Sequence, residues 1–352
     1  MHIAVVSLGA FGHVNPTLEL VTELVRRGVR VTYFCTEGFR TIVEPTGAQF
    51  VAVPSWMEAH AGESGEDKSD VAATVPFLFL HEAEAYLEPV LAVLKEDRPD
   101  AIVHDFAGIA GTLAADELAD RFVVQYGCRK MTVKEIFDGR GDLNLVMMQK
   151  RLVPHNESFD DSFVFTGVQI GKRTAFGSWK APADGKPLLY SSLGTAFNNW
   201  PEYYPILFDA VRDLDIHVFA ALGSIDPASL QDVPANVELG QMVPQLDILS
   251  QASVFITHAG MGGTGESIYY GVPMIAIPQM DEQAVTAGQI EKLGLGIAFH
   301  GKNSVTSQGL KMAIETILQN DSYRETLQEF SADMRSLGGA KASADALVRF
   351  LN

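Results

Sequence analysis

Two absences narrow the chain first. It carries only two cysteines in 352 residues, Cys35 and Cys128, each beside apolar neighbours. That excludes a disulfide framework and a thiolate metal cluster, and predicts a pair of buried, reduced thiols. No apolar run approaches the roughly 20 residues that a membrane helix needs, and the opening Met1-His2-Ile3-Ala4-Val5-Val6 is too short and lacks the basic flank of a signal peptide. A cytoplasmic protein without a membrane anchor is the expectation. Cations are scarce: 26 Lys and Arg stand against 44 Asp and Glu, a formal net charge of −18. Such a surface excludes nucleic acid and anionic membrane as partners, because both need clustered Lys and Arg to replace counterions. Any phosphate bound here must be held by local groups. Short-period repeats are missing too.

What is present suits a globular chain. With 47% hydrophobic and 20% charged residues, it can bury one large or two medium cores, and two domains are expected. The first half alternates between elements. Residues 2–7 read as a strand and 8–15 as a loop. Pro16 is expected in the first turn of a helix whose apolar face is Leu18, Leu20, Val21, Leu24 and Val25. Strands follow at 29–35 and 48–54, with a helix at 37–46 between them. Residues 55–70 form a polar, acidic loop, and 71–96 a long amphipathic helix. A strand at 101–104, a helix at 109–119 and a strand at 122–126 complete a doubly wound pattern. Residues 167–186, rich in Gly, Pro and Ser without periodicity, read as a linker. The second half resumes the alternation at 187–192, 203–211, 216–222, 245–249 and 290–299, and a last helix covers 342–351.

Two sites emerge from this layout. His13 follows the first strand and Asp105 follows the fourth. In a 3-2-1-4-5 sheet those strands are neighbours at the topological switch point, so the two side chains can meet. An imidazole bonded to a carboxylate has a fixed tautomer and a stabilised cationic form, which suits it to take a proton from a hydroxyl. Taken singly, His13 is a helix-start residue and Asp105 a strand end. The second site is the stretch 257–283, THAGMGGTGESIYYGVPMIAIPQMDEQ. A short buried strand breaks into a glycine turn carrying Gly260, Gly262 and Gly263, a helix starts at about Thr264 and stops at Gly271, and a second strand at 272–277 ends on Pro278. Glycines let backbone approach a phosphate, and unpaired N–H groups at a helix start favour negative charge.

The pattern His258, Ala259-Gly260, Gly262-Gly263-Thr264, Glu266, Pro273, Pro278, Glu282-Gln283 resembles the nucleotide-sugar signature of the GT-B, family 1 glycosyltransferases, in particular the bacterial macrolide and flavonoid UDP-glucosyltransferases. The resemblance continues through Met242-Val243-Pro244-Gln245, Ser192-Leu193-Gly194-Thr195 and Gly12-His13-Val14-Asn15-Pro16, and so covers nearly the whole chain. It implies an α/β protein of two Rossmann-like doubly wound domains facing across a cleft: an acceptor domain at 1–170, a linker at 171–186, a donor domain at 187–330, and a tail at 331–352 whose helix returns to the N-terminal domain. It implies an inverting transfer of a hexose, glucose above all, from a UDP-sugar to a small hydrophobic or phenolic acceptor. His13 is then the general base, oriented by Asp105, and neither metal nor further cofactor takes part.

The family roles carry over residue by residue. His258 would donate to the diphosphate along with Gly260, Gly262, Gly263 and Thr264, and Ser192 and Thr195 would add hydroxyl donors. Glu266 would accept from the ribose hydroxyls, although a carboxylate near a helix N-terminus is also favourable by itself. Met242, Val243 and Gln245 would meet the nucleotide, with Met242 equally readable as a core residue. Glu282 and Gln283 would hold the donor sugar, or form a polar turn. The chain departs from the family at 127–141, where relatives carry additional helices, and an open, poorly selective acceptor pocket is the consequence.

Three function classes compete at this point. One is the glycosyltransferase. A second is a nicotinamide enzyme, disfavoured because Gly9-Ala-Phe-Gly12-His is not G-x-G-x-x-G and Glu37 is a weak substitute for a ribose carboxylate. The third is a nucleotide-sugar binder, or an engineered minimal scaffold, in which the shortened wall leaves donor binding without efficient transfer.

Overall fold

The structure is a computed structural model and describes residues 1–60, 71–105, 110, 141–171, 173, 176–194 and 200–352. Thr195, Cys128, the strand expected at 122–126, most of the helix expected at 109–119 and the stretch 127–140 lie outside the described residues, as do 61–70 of the acidic loop. The chain forms two compact units. The first comprises 1–145, 160–164 and 340–352, and the second 146–159 and 165–339.

The strands of unit one are β1 (His2–Val6), β2 (Arg30–Cys35), β3 (Gln49–Ala52) and β4 (Ala101–His104), ordered β3-β2-β1-β4 and all parallel. Alternation splits β1 and β2 between two layers. Ala4, Val6 and Phe34 join Val53 and the buried Tyr86, Val90 and Leu94 of α4 (Val71–Glu96). Ile3, Val5, Val31 and Tyr33 are buried on the opposite face, the side of α1 (Phe11–Arg26), whose Thr17 Oγ1 lies 2.7 Å from the Tyr33 hydroxyl.

Two local readings change here. Helix α1 starts at Phe11, so His13 stands in its first turn rather than in a loop, and Pro16 lies inside it. The N–H groups of His13 and Val14 close onto the Ala10 carbonyl and begin the helix ahead of the proline. The helix expected at 37–46 is three short turns: a 3₁₀ turn at Glu37–Phe39, α2 (Arg40–Val43) and a second 3₁₀ turn at Glu44–Thr46. Pro45 removes an N–H donor there and Gly47 ends the segment. The polar loop after β3 also contains a single helical turn, α3 (Trp56–Ala59), capped by Ser55 Oγ, which accepts from the Glu58 N–H at 3.0 Å.

β5 (Asn144–Val146) and β6 (Phe163–Phe165) form a small two-stranded sheet. Unit two is built on six parallel strands: β7 (Leu188–Ser192), β8 (His217–Ala221), β9 (Val237–Gly240), β10 (Val254–Thr257), β11 (Met274–Ala276) and β12 (Gly296–Ala298), in the order β12-β11-β10-β7-β8-β9. Its helices are α5 (Tyr203–Val211), α6 (Gln245–Leu249), α7 (Met261–Tyr270), α8 (Asp281–Lys292), α9 (Ser307–Gln319) and α10 (Ser322–Ser336).

The sheet of unit two is buried on both faces. Leu189, Val218, Ala220 and Ile256 pack with Tyr204, Leu207 and Phe208 of α5 and Leu310 and Ile314 of α9. Leu188, Tyr190, Phe219 and Phe255 face Ile268 of α7, Ile290 of α8 and Leu327 and Phe330 of α10. Each Val, Leu, Ile or Phe among them contributes about 1.5–3 kcal/mol by leaving water, and burial on both faces explains why these strands read as continuous apolar runs. Met148 and Leu152 are buried in the second layer, which draws 146–159 into this unit, earlier in the chain than composition suggests. The last helix, α11 (Gly339–Leu351), buries Ser343, Ala344, Ala346 and Leu347, and Arg27 Nη1 donates to Asp345 Oδ1 at 2.6 Å within unit one.

Candidate active site

Each sheet reverses its direction of winding once, between β1 and β4 in unit one and between β7 and β10 in unit two. In open α/β sheets the carboxyl ends of the strands at such a reversal are where ligands bind, and both sets of candidate residues lie there. In unit one the register pairs Val6 with His104, so the segments leaving β1 and β4 are neighbours. His13 Nδ1 and Asp105 Oδ2 meet at 2.5 Å, with side chains 20% and 26% exposed, so the pair is sheltered yet reachable. With the carboxylate ionised, Nδ1 is the protonated ring nitrogen and Nε2 carries the basic lone pair.

In unit two, Thr257 pairs with Ser192 on one side and Ala276 on the other, which brings the turns after β7, β10 and β11 to one edge. Leaving β10, the chain turns sharply: Ala259 takes φ 63°, a left-handed conformation that costs a non-glycine residue of order 1–3 kcal/mol. Gly260 is then the N-cap of α7 and offers no side-chain cap. Since the first intrahelical bond runs from Thr264 N–H to the Gly260 carbonyl, the N–H groups of Met261, Gly262 and Gly263 have no partner inside the helix. The helix begins three residues before the expected Thr264, which places all of these glycines at its N-terminus.

His258 is wedged between two glycines. A Cβ on Gly194, itself at φ 94°, would fall 3.1 Å from the ring, and one on Gly260 would fall 2.4 Å from Nε2. Glycine is what lets backbone close around the imidazole. Its Nδ1 is buried without a hydrogen-bond partner among the described residues, as is the hydroxyl of the fully buried Thr264. Burial holds the His258 pKa below the ordinary imidazole value, partly opposed by a hydrogen bond to the Ser192 backbone. The orphaned Thr264 hydroxyl and the N–H groups of Met261, Gly262 and Gly263, which lack partners inside the helix, supply donors for an anion.

The remaining candidates are placed differently from one another. Glu266 is 3% exposed. Its Oε2 accepts from Gln245 Nε2 at 2.5 Å, and its Oε1 lies 2.6 Å from Arg173 Nη1. Gln245 Oε1 in turn accepts from the Tyr190 hydroxyl at 2.9 Å, so both ends of the Gln245 amide are engaged within the protein. Met242 is 41% exposed, which excludes the core reading, while Val243 packs against the second apolar layer. Glu282 is exposed in the first turn of α8. Gln283 is buried and its Oε1 accepts from the Gln279 N–H at 2.9 Å. Arg173 escaped the sequence reading because it sits in the aperiodic linker, with nothing local to mark it. Cys35 is a buried free thiol whose pKa burial pushes up to about 12. Glu37 is bound to Arg40 on the surface. Among the described residues, no three His, Cys, Asp or Glu side chains gather as a metal site, and no helix is long and apolar enough to cross a membrane.

Known proteins are similar to this chain in sequence and fold. Residues 205–348 match the domain described as erythromycin biosynthesis protein CIII-like, C-terminal. The chain is 34% identical over 387 positions to the NDP-glycosyltransferase YjiC of Bacillus subtilis, covering 99% of this chain and 97% of the relative. It is 30% identical to the oleandomycin glycosyltransferase of Streptomyces antibioticus, with 98% and 90% covered. Among solved structures, the glycotransferase of kitacinnamycin superposes with a TM-score of 0.84 and CalG4, the calicheamicin glycosyltransferase, with 0.82. Each is 28% identical, with 99% of this chain and 98% of the other covered. The two doubly wound sheets are those of a GT-B protein, and the chain belongs to the family 1 GT-B glycosyltransferases, enzymes that move a sugar from a nucleotide donor to a small-molecule acceptor.

Proposed function

We propose that this glycosyltransferase moves a hexose, glucose above all, from a UDP-sugar to a hydroxyl of a small hydrophobic or phenolic acceptor, with inversion, and that it works in the cytoplasm. The observation that carries the reading is the 2.5 Å contact between His13 Nδ1 and Asp105. His13 Nε2 takes the acceptor proton as the oxygen attacks the anomeric carbon. The carbon–oxygen bond to the diphosphate breaks on the opposite face, and the nucleoside diphosphate leaves. Asp105 stabilises the imidazolium so formed. The growing charge on the diphosphate is met by the N–H groups of Met261 to Gly263, by Thr264 and by His258, so the step as read needs no metal. Ser192 serves the diphosphate, and Thr195, outside the described residues, is assigned the same role; Met242, Val243 and Gln245 serve the nucleotide base, Glu266 the ribose, and Glu282 and Gln283 the sugar.

Replacing His13 separates chemistry from binding. His13→Ala is expected to leave UDP affinity unchanged while transfer falls by about 10²–10⁴. Asp105→Asn lowers rate more than it disturbs shape, and the double variant is little worse than His13→Ala, because the carboxylate acts through the imidazole. A thiophenol acceptor, which ionises more readily, loses less than a phenol. Equal losses on both acceptors, or a parallel collapse of UDP affinity, would make His13 a structural residue.

A second reading, donor binding without efficient transfer, draws on one observation. The alignment with YjiC spans 387 positions against 352 residues here, so the relative carries residues that have no counterpart in this chain. Turnover of UDP-glucose with a panel of phenols separates the two readings.

A further inference from the structure

We propose that Arg173 is a positioning residue of the donor site: its contact with Glu266 orients the carboxylate so that it reads the paired hydroxyls of the donor's ribose. The proposal rests on the reading of Glu266 as the ribose partner. It starts from a cost. A carboxylate 3% exposed on α7 is destabilising unless a charge and hydrogen bonds compensate it. Arg173 supplies the charge at 2.6 Å from Oε1, and Gln245 supplies the hydrogen bond at 2.5 Å to Oε2. Gln245 is itself fixed by the hydroxyl of Tyr190, which is fully buried and stacked on Phe255 at 5.0 Å. The carboxylate is therefore clamped from both ends by groups anchored in the sheet and in the linker.

The clamp has two consequences for a ligand. An ionised carboxylate has about four acceptor positions. Arg173 and Gln245 occupy one on each oxygen, which leaves an acceptor on each oxygen for two adjacent hydroxyls. A vicinal diol matches that pattern, and a ribose lacking its 2′-hydroxyl leaves one acceptor unmet, which is where hydroxyl-reading sites gain their discrimination. The second consequence is electrostatic. Glu266 lies on the same helix as the anion cradle, where a bare carboxylate would repel a diphosphate, and the guanidinium cancels that charge. Arginine suits the task because it remains cationic in a desolvated place.

The test compares UDP with 2′-deoxy-UDP by calorimetric titration in the parent, Arg173→Gln, Arg173→Lys, Glu266→Gln and the Arg173→Gln/Glu266→Gln double variant. The parent is expected to favour UDP, and Glu266→Gln to abolish that preference. Arg173→Gln should lower the UDP to deoxy-UDP preference by about tenfold, the size of a hydrogen bond to a charged group, with Arg173→Lys recovering part of it. The double variant should be no less selective than the worse single variant, since the two residues act as a unit. If Arg173→Gln does not fold, a preference in Arg173→Lys below that of the parent carries the same conclusion. A parent-like preference in the Arg173 variants, an equal loss for both nucleotides, or a gain in affinity overturns the proposal. A parent-like preference in Glu266→Gln overturns the ribose reading of Glu266 itself, and the proposal with it.

Discussion

At the residue scale, the two histidines sit in different surroundings. His13 lies against the carboxylate of Asp105, whereas His258 is wedged between glycines and burial holds its pKa below the ordinary imidazole value. The sign of its pH dependence follows. In the unfolded chain a histidine takes up a proton below about pH 6.5, but His258 in the folded chain does so only at lower pH. Between those two values the unfolded state binds more protons, so this contribution lowers stability as pH falls through 6.5 and is complete below the depressed folded pKa. His258→Gln removes it. Urea unfolding at set pH values is expected to show a smaller loss between pH 7 and pH 5 in the variant than in the parent, and equal losses would mean that the ring titrates normally. Each histidine stands out in the sequence because it follows an apolar strand at a strand-to-helix turn, His13 in the first turn of α1 and His258 ahead of α7. Arg173 does not, since nothing in an aperiodic linker indicates that its side chain reaches a carboxylate 93 positions further along the chain.

At the element scale, the start of α7 shows why a glycine turn reads clearly while its boundary does not. Propensity delays the helix past Gly262 and Gly263, since glycine costs about 1 kcal/mol in a helix interior. The fold begins it at Met261, because the left-handed Ala259 and the Gly260 cap already aim the chain. The strands were more legible than the caps, their apolar runs being set by burial on both faces, whereas 37–46 misled because Pro45 breaks a pattern that otherwise has helical spacing. The glycines of α7 are expected to differ in kind. Gly260→Ala drives a Cβ into the His258 ring and is expected to cost about 1–3 kcal/mol of stability, as overpacking does. Gly262→Ala meets nothing within 4 Å and should leave stability unchanged or raise it by up to about 1 kcal/mol, yet it places a methyl group where backbone would approach the diphosphate, so UDP affinity falls. Thermal unfolding and a UDP titration on both variants check this. A destabilised Gly262→Ala, or one that binds UDP as the parent does, contradicts it.

At the scale of the whole molecule, the chain order and the packing order disagree, and the disagreement is testable. Residues 340–352 follow all of unit two in sequence but belong to unit one. Sequence periodicity gives the helix, and its return to the N-terminal domain came from the family resemblance rather than from the residues: Leu347 and the small residues Ser343, Ala344 and Ala346 are buried, and Arg27, tied to Glu23, reaches Asp345 and the Lys341 carbonyl. The exposed part of that polar contact contributes at most about 1 kcal/mol, and the burial of Leu347 with its neighbours more, on the order of 3 kcal/mol. Deleting 340–352 is therefore expected to destabilise unit one and to spare unit two, where the proposed donor groups lie. Calorimetric unfolding of the truncated protein should show one transition at lower temperature and one near its parental position. UDP should raise only the latter, by mass action worth about 2.7 kcal/mol at a hundredfold excess over Kd. Transfer should fall while UDP affinity is retained, because the proposed base His13 belongs to the weakened unit. A parallel loss of UDP affinity would show instead that the last helix supports both units, and that donor binding is not a property of unit two alone.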